Sequence, residues 1–171
     1  MPQPVHFRRA ALAALAALLA LPAGAADSSA GAANRPPDFA LHAVAGPNVR
    51  LSEHRGEVVV IAFWGSRCDT CRMQLAALNR IFTTYRPAGL QVFAVGVDDD
   101  PLRALEFARA QRVGFPLLLD PAKAVSRAWR VELLPTVAIL DRGGMLRHVH
   151  RDYEAGDESL YTRELRELLN E

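Results

Sequence analysis

Val58-Val59-Val60-Ile61-Ala62-Phe63-Trp64-Gly65-Ser66-Arg67-Cys68-Asp69-Thr70-Cys71-Arg72 joins an apolar run to the chain's only two cysteines, spaced i and i+3. Beyond them, Met73, Leu75, Ala76, Leu78, Ile81 and Phe82 recur at three and four residues, which predicts a helix rather than a strand. A strand therefore delivers a dithiol to the start of a helix, with Cys68 at or just before the first turn.

That placement has chemical consequences. Unpaired backbone N–H groups and the positive end of the helix macrodipole stabilise a thiolate there. A thiol of pKa about 8.5 is only about 3% ionised at pH 7, whereas one lowered to roughly 6.5 is about three-quarters ionised. Nucleophilicity falls with pKa, so the gain in attack rate is only about threefold, and the larger effects fall on Cys68 as leaving group and on redox potential. Residues i and i+3 of a helix have Cβ atoms about 5–6 Å apart, which modest adjustment brings to disulfide distance. Cys71 can then resolve a mixed disulfide formed by Cys68. A purely structural bridge is the weaker reading, because so small a loop restrains little of the unfolded chain.

The 171 residues, half of them hydrophobic, suffice for one domain with a full core. His6, Arg8 and Arg9 precede an Ala/Leu stretch from Ala10 to Leu21, and Pro22-Ala23-Gly24-Ala25-Ala26 supplies small residues at a cleavage site. Residues 1–26 therefore read as a secretory signal peptide, with an uncleaved membrane anchor as the alternative. Residues 27–35 read as a flexible tether and 36–171 as the folded domain. Without Arg8 and Arg9, 18 Lys and Arg face 19 Asp and Glu, so the mature chain is near neutral. Its charge describes neither a nucleic-acid surface nor a polybasic membrane patch.

Along the domain, Phe39-Ala40-Leu41 and Asn48-Val49-Arg50-Leu51 read as a hairpin, and Ser52 as the cap of a single turn. Leu90 to Val97 is a second strand, apolar enough to be covered on both faces. Asp98-Asp99-Asp100-Pro101 opens a helix to about Arg112; helix capping explains the aspartates more simply than a cation site. Phe115–Leu119 is a short strand and Pro121–Arg130 a helical stretch. Leu134–Leu140 resumes the sheet, and Asp141-Arg142-Gly143-Gly144 turns it into an antiparallel strand from Met145 to Arg151. His148 and His150 share one face of that strand, read as a polar surface rather than a metal site. A last helix runs from about Asp157 to Leu169.

The strand, Trp-x-x-x-Cys-x-x-Cys, helix and later Leu134-Pro135-Thr136 resemble the thioredoxin fold. The fuller set is similar to the exported TlpA/ResA-like thiol-disulfide oxidoreductases, relatives of the redoxin and AhpC/TSA proteins: Pro37-Asp38-Phe39, Leu51-Ser52, Arg55-Gly56, Phe63-Trp64, Cys68, Cys71, Phe115-Pro116 and Asp141-Arg142-Gly143-Gly144. The resemblance implies an α/β fold with a central mixed sheet flanked by helices, an N-terminal hairpin and a helical insertion. It implies a redox-active Cys68–Cys71 disulfide with no other cofactor and no metal. Pro135 is expected in the cis form beside the dithiol as part of the catalytic site, with the Leu134 backbone pairing an extended substrate segment and Thr136 also binding substrate. Trp64 is expected to flank the cysteines and cover part of the groove, with ordinary core packing as the alternative. The implied partners are disulfide-bearing proteins, in cytochrome c maturation or copper-site assembly, and a membrane-bound electron donor. The periplasm is the implied compartment, a monomer is expected, and nucleic acid is not a partner.

Several positions depart from the family pattern. Arg67 replaces the usual Trp before the first cysteine and favours a Cys68 thiolate, whereas Asp69 opposes it. Thr70 stands where Pro is common. Thioredoxin's buried carboxylate falls at Ala62, and the Glu of some relatives at Gln74, so no proton acceptor for Cys71 is identified. A disulfide-donating oxidase and a Cu(I)-binding assembly factor using both thiols are the alternatives. A peroxiredoxin requires Thr or Ser three residues before its reactive cysteine, and Gly65 occupies that place.

Overall fold

The computed structural model describes Met1 and residues 34–171. The expected signal peptide and most of the expected tether lie outside the described residues. Among those described, no helix is long and apolar enough to cross a membrane. The chain is bound to the sheet before Pro36, because the Leu146 N–H donates to the Asn34 carbonyl (2.9 Å).

In chain order, β1 (Ala40–Leu41) and β2 (Val49–Arg50) form an antiparallel pair, followed by a single 3₁₀ turn at Leu51–His54. Ser52 does not cap that turn. Its backbone N–H and hydroxyl both donate to the Asp38 carboxylate (2.9 and 2.8 Å), tying the entry of the domain to the hairpin. Then come β3 (Val58–Trp64), α1 (Asp69–Tyr85), β4 (Leu90–Gly96), α2 (Pro101–Ala110), β5 (Leu117–Leu119), α3 (Ala124–Ala128), β6 (Thr136–Leu140), β7 (Leu146–Arg151) and α4 (Glu158–Leu169). The expected helical stretch from Pro121 shrinks to α3 because Lys123 takes a left-handed conformation (φ 51°). The buried Asp120 carboxylate accepts from the N–H groups of Ala124 and Ser126 (2.9 and 2.8 Å) and so caps the helix from four residues upstream.

The sheet order is β5-β4-β3-β6-β7, with β3 parallel to β4, β4 parallel to β5, and β6 antiparallel to both β3 and β7. This is the expected thioredoxin-like architecture, and α2 is its helical insertion. All seven residues of β3 are buried. Val58, Val60, Ala62 and Trp64 face a layer built from α1, α2 and α4, while Val59, Ile61 and Phe63 face the hairpin and α3. Unbroken hydrophobicity follows from that double cover.

Trp64 occupies the helical layer, not the surface. Its ring stacks on Phe107 (centroids 4.8 Å apart) and has no exposed area, so it covers no substrate groove. The groove reading gives way to core packing because strand alternation carries the last residue of β3 inward, over Gly96, which has no side chain. A Cβ on Gly96 would lie 2.6 Å from Trp64 Cζ2. On β7 the surface assignment is also reversed, since His148 and His150 are half-buried under α4 while Val149 is exposed.

Two stability predictions follow from this packing. Gly96→Ala should destabilise by about 1–3 kcal/mol, the usual cost of overpacking, read as a lower urea midpoint with unchanged slope. Burial pushes the Tyr161 phenol up to about 12, and burial with the Glu158 hydrogen bond does the same for Tyr153. Folding thus favours both neutral phenols. Their contribution is intact below the ordinary tyrosine pKa of about 10 and is lost as pH rises from there toward 12. The urea midpoint should fall over that window, and less steeply in Tyr153→Phe.

Candidate active site

β3 ends inside the protein, and the chain must turn at once to start α1. The turn spans Gly65 to Cys68, closed by the Cys68 N–H donating to the Gly65 carbonyl (3.1 Å). It is held from both sides. On one side Val97 N–H donates to the Trp64 carbonyl (2.9 Å), and the Asp98 carboxylate accepts from Ser66. On the other, Leu134 packs so closely that a Cβ on Gly65 would meet its Cδ1 at 3.1 Å.

Cys68 is the N-cap of α1, extended at φ −102°, with its sulfur accepting from the Cys71 N–H (3.1 Å). The sulfur therefore sits where the orphan amides and the helix dipole act on it. The two cysteines are joined in a disulfide with Cα atoms 5.3 Å apart. They are unequal: Cys68 is half-buried, whereas Cys71 has no exposed area. The Thr70 hydroxyl lies 3.6 Å from Cys68 Sγ.

A cleft of about 280 Å³ opens beside Cys68, lined by Gly65, Arg67, Leu134, Arg103 and the three consecutive aspartates with Val97. Arg67 and Asp69 are both exposed, but only Arg67 lines the cleft. Each aspartate has its own task. Asp98 holds Ser66, Asp99 pairs with Lys123 (2.6 Å), and Asp100 caps α2 by accepting from Leu102 and Arg103 N–H (3.0 and 3.3 Å). Capping therefore explains only the third.

The Leu134–Pro135 peptide is cis, and Pro135 is buried at the start of β6. Thr136 is buried, and its hydroxyl donates to the Leu133 carbonyl (2.7 Å), so its side chain braces this loop and is not presented to a substrate. The N–H and C=O of Leu134 make no hydrogen bond among the described residues.

Behind the dithiol, Gln74 is buried one turn along α1 from Cys71. Its Nε2 donates to the Tyr161 hydroxyl (3.3 Å), and its Oε1 and the Trp64 Nε1 are unpartnered among the described residues. Farther off, Glu164 on α4 receives both histidines of β7, His150 Nε2 at 2.7 Å and His148 Nδ1 at 3.4 Å. No group of three His, Cys, Asp or Glu is arranged to hold a metal among the described residues. Sequence reasoning missed Ser66, Asp98 and Arg103 as parts of the site. The Asp98 signal was present, an acid two residues after an apolar strand that runs parallel to β3 and ends level with Trp64.

The AhpC/TSA family model matches residues 32–149. Over 113 residues the chain is 32% identical to the thiol-disulfide oxidoreductase ResA of Geobacillus kaustophilus, covering 66% of this chain and 65% of that one. Against ResA of Bacillus subtilis it is 28% identical over 108 residues, covering 63% and 60%. The chain thus spans slightly under two thirds of these curated relatives. A crystal structure from Chlorobium tepidum, described as a thiol:disulfide interchange protein DsbE, superposes with a TM-score of 0.76 at 30% identity, covering 80% of this chain and 96% of that one. The exposed lipoprotein thioredoxin of Streptococcus pneumoniae gives 0.68 at 26%, covering 77% and 100%. With the family model spanning more than half of the chain, and the dithiol turn and cis-proline loop facing one cleft, the protein belongs to the AhpC/TSA family, as a ResA-like member with the thioredoxin-like fold.

Proposed function

We propose that the protein is a thiol-disulfide oxidoreductase that reduces disulfides of partner proteins through Cys68 and Cys71. One observation carries this reading: of two bonded sulfurs at the start of α1, one opens on a cleft and the other is fully enclosed. In the dithiol form, the Cys68 thiolate attacks a partner disulfide, forming Cys68–S–S–partner and expelling the partner's other sulfur as a thiolate. Cys71, deprotonated, then attacks Cys68 Sγ, restoring the Cys68–Cys71 disulfide and releasing the second partner thiolate. Two electrons pass to the partner, and an external dithiol donor must return them. The free backbone of Leu134, on the cleft wall, suits strand-like pairing with an extended substrate segment.

The setting we propose is the periplasm, reached by the N-terminal Ala/Leu segment, with apocytochrome c or copper-site cysteines as substrates and a membrane-bound electron donor. This setting is what the resemblance to the exported TlpA/ResA-like oxidoreductases implies. Peroxide reduction is disfavoured, because Gly65 lacks a hydroxyl and the adjacent Ser66 hydroxyl is committed to Asp98 (2.6 Å).

Two measurements test the reading. The Cys68–Cys71 couple, equilibrated with glutathione or dithiothreitol, should have a potential near or below about −270 mV; a value near about −120 mV would replace reduction with disulfide donation. Cys71→Ser should accumulate a mixed disulfide through Cys68 on a non-reducing gel, while Cys68→Ser should form none. Trapping by Cys68→Ser instead would reverse the assigned roles.

A further inference from the structure

Ser66 lies two residues before Cys68, and its attachment to Asp98 is the most heavily bonded polar contact of the turn. The Ser66 N–H is shared between both carboxylate oxygens (3.0 and 2.9 Å), and the hydroxyl donates to Oδ1 at 2.6 Å. The bond crosses from the end of β4 to the end of β3, so it fixes the turn relative to the sheet. Asp98 also lines the cleft into which Cys68 opens.

The other charges on that cleft are Arg67 from the turn and Asp99, Asp100 and Arg103 from the segment entering α2. Asp99 is paired with Lys123 at 2.6 Å. Asp100 is spent on the α2 amides and lies 3.9 Å from Arg103 Nε. Asp98 has no cationic partner among the described residues, only the dipoles of Ser66.

We propose that Asp98 is a positioning residue of the dithiol, which through Ser66 holds the Gly65–Cys68 turn in place and by its charge disfavours the Cys68 thiolate, keeping the couple reducing. The inference rests on Cys68–Cys71 being the reactive couple. A carboxylate on the same cleft wall opposes a second negative charge. Destabilising the thiolate destabilises the reduced state, and a couple whose reduced form is less stabilised is the stronger reductant. Ser66 moderates the effect, since its two donors spread part of the carboxylate charge onto the turn.

Two substitutions in the full chain separate this from a merely structural clamp. Asp98→Asn keeps an acceptor for Ser66 and removes the charge. Ser66→Ala keeps the charge and removes the 2.6 Å hydroxyl bond that partly neutralises it. Each variant is reduced, and the pH dependence of Cys68 alkylation by iodoacetamide is followed by mass spectrometry, together with the equilibrium against glutathione.

In Asp98→Asn the alkylation midpoint should fall by about one pH unit, and the glutathione equilibrium, measured at a pH above both midpoints, should shift about tenfold toward the dithiol. In Ser66→Ala the midpoint should rise. Loosening of the turn alone would move both variants the same way, and that result, or an unmoved midpoint in Asp98→Asn, overturns the proposal. If Asp98→Asn fails to fold, Asp98→Ser, which also removes the charge, takes its place: a fall in its midpoint opposite to the rise in Ser66→Ala supports the proposal, and a rise or no change ends it. Failure of the wild-type dithiol to reduce insulin disulfides would refute the reductase reading while leaving these shifts to be judged separately.

Discussion

Where β3 stops is set by Trp64. Its ring needs the space above Gly96, directly across the parallel ladder, and the face of Phe107 from α2. A seventh strand residue so anchored cannot slip along the sheet, because a one-residue shift would drive the indole to the opposite face. The turn that follows is consequently placed to within the tolerance of a packed core. Cys68 inherits that placement, and so does α1, whose Leu75, Leu78 and Phe82 lie against the same layer.

The fold was largely legible because the sheet strands and helices announce themselves by different periods. The Val58 and Leu90 runs lack alternation because both faces are covered, and the leucines of α4 recur at helical spacing because only one is. Reading failed where a residue's partner is distant in sequence. Ser52 looked like a cap but bonds Asp38, and the three aspartates looked like one motif but serve three different neighbours, Ser66, Lys123 and the α2 amides. His148 and His150 looked solvated because Glu164, the carboxylate that allows their burial, belongs to another element. Cys68 and Cys71 were readable because their chemistry depends on spacing along one helix. Asp98 was not, because it joins the site only through the register of β4 against β3.

The polar groups of the turn are economical in a physical sense. Gly65 carries no side chain because Leu134 fills the space, Ser66 faces the strand exit, and Arg67 is left to solvent at the cleft mouth. Substituting arginine for the bulky residue usual before the first cysteine therefore needs no repacking. It places a cation and a carboxylate, Arg67 and Asp98, on the lining of the cleft that Cys68 also lines, and charges of opposite sign act oppositely on a thiolate.

Enclosure of Cys71 has a kinetic consequence. A thiolate must approach a disulfide at one of its sulfurs, and here a single sulfur can be reached from outside. On the proposed function, whatever reduces the bond and whatever the dithiol then reduces dock over the same cleft, one after the other. If the dithiol cycles as proposed, its donor and its acceptor are mutual competitors, and turnover alternates between two half-reactions, each partner meeting only the redox form that the other has left behind.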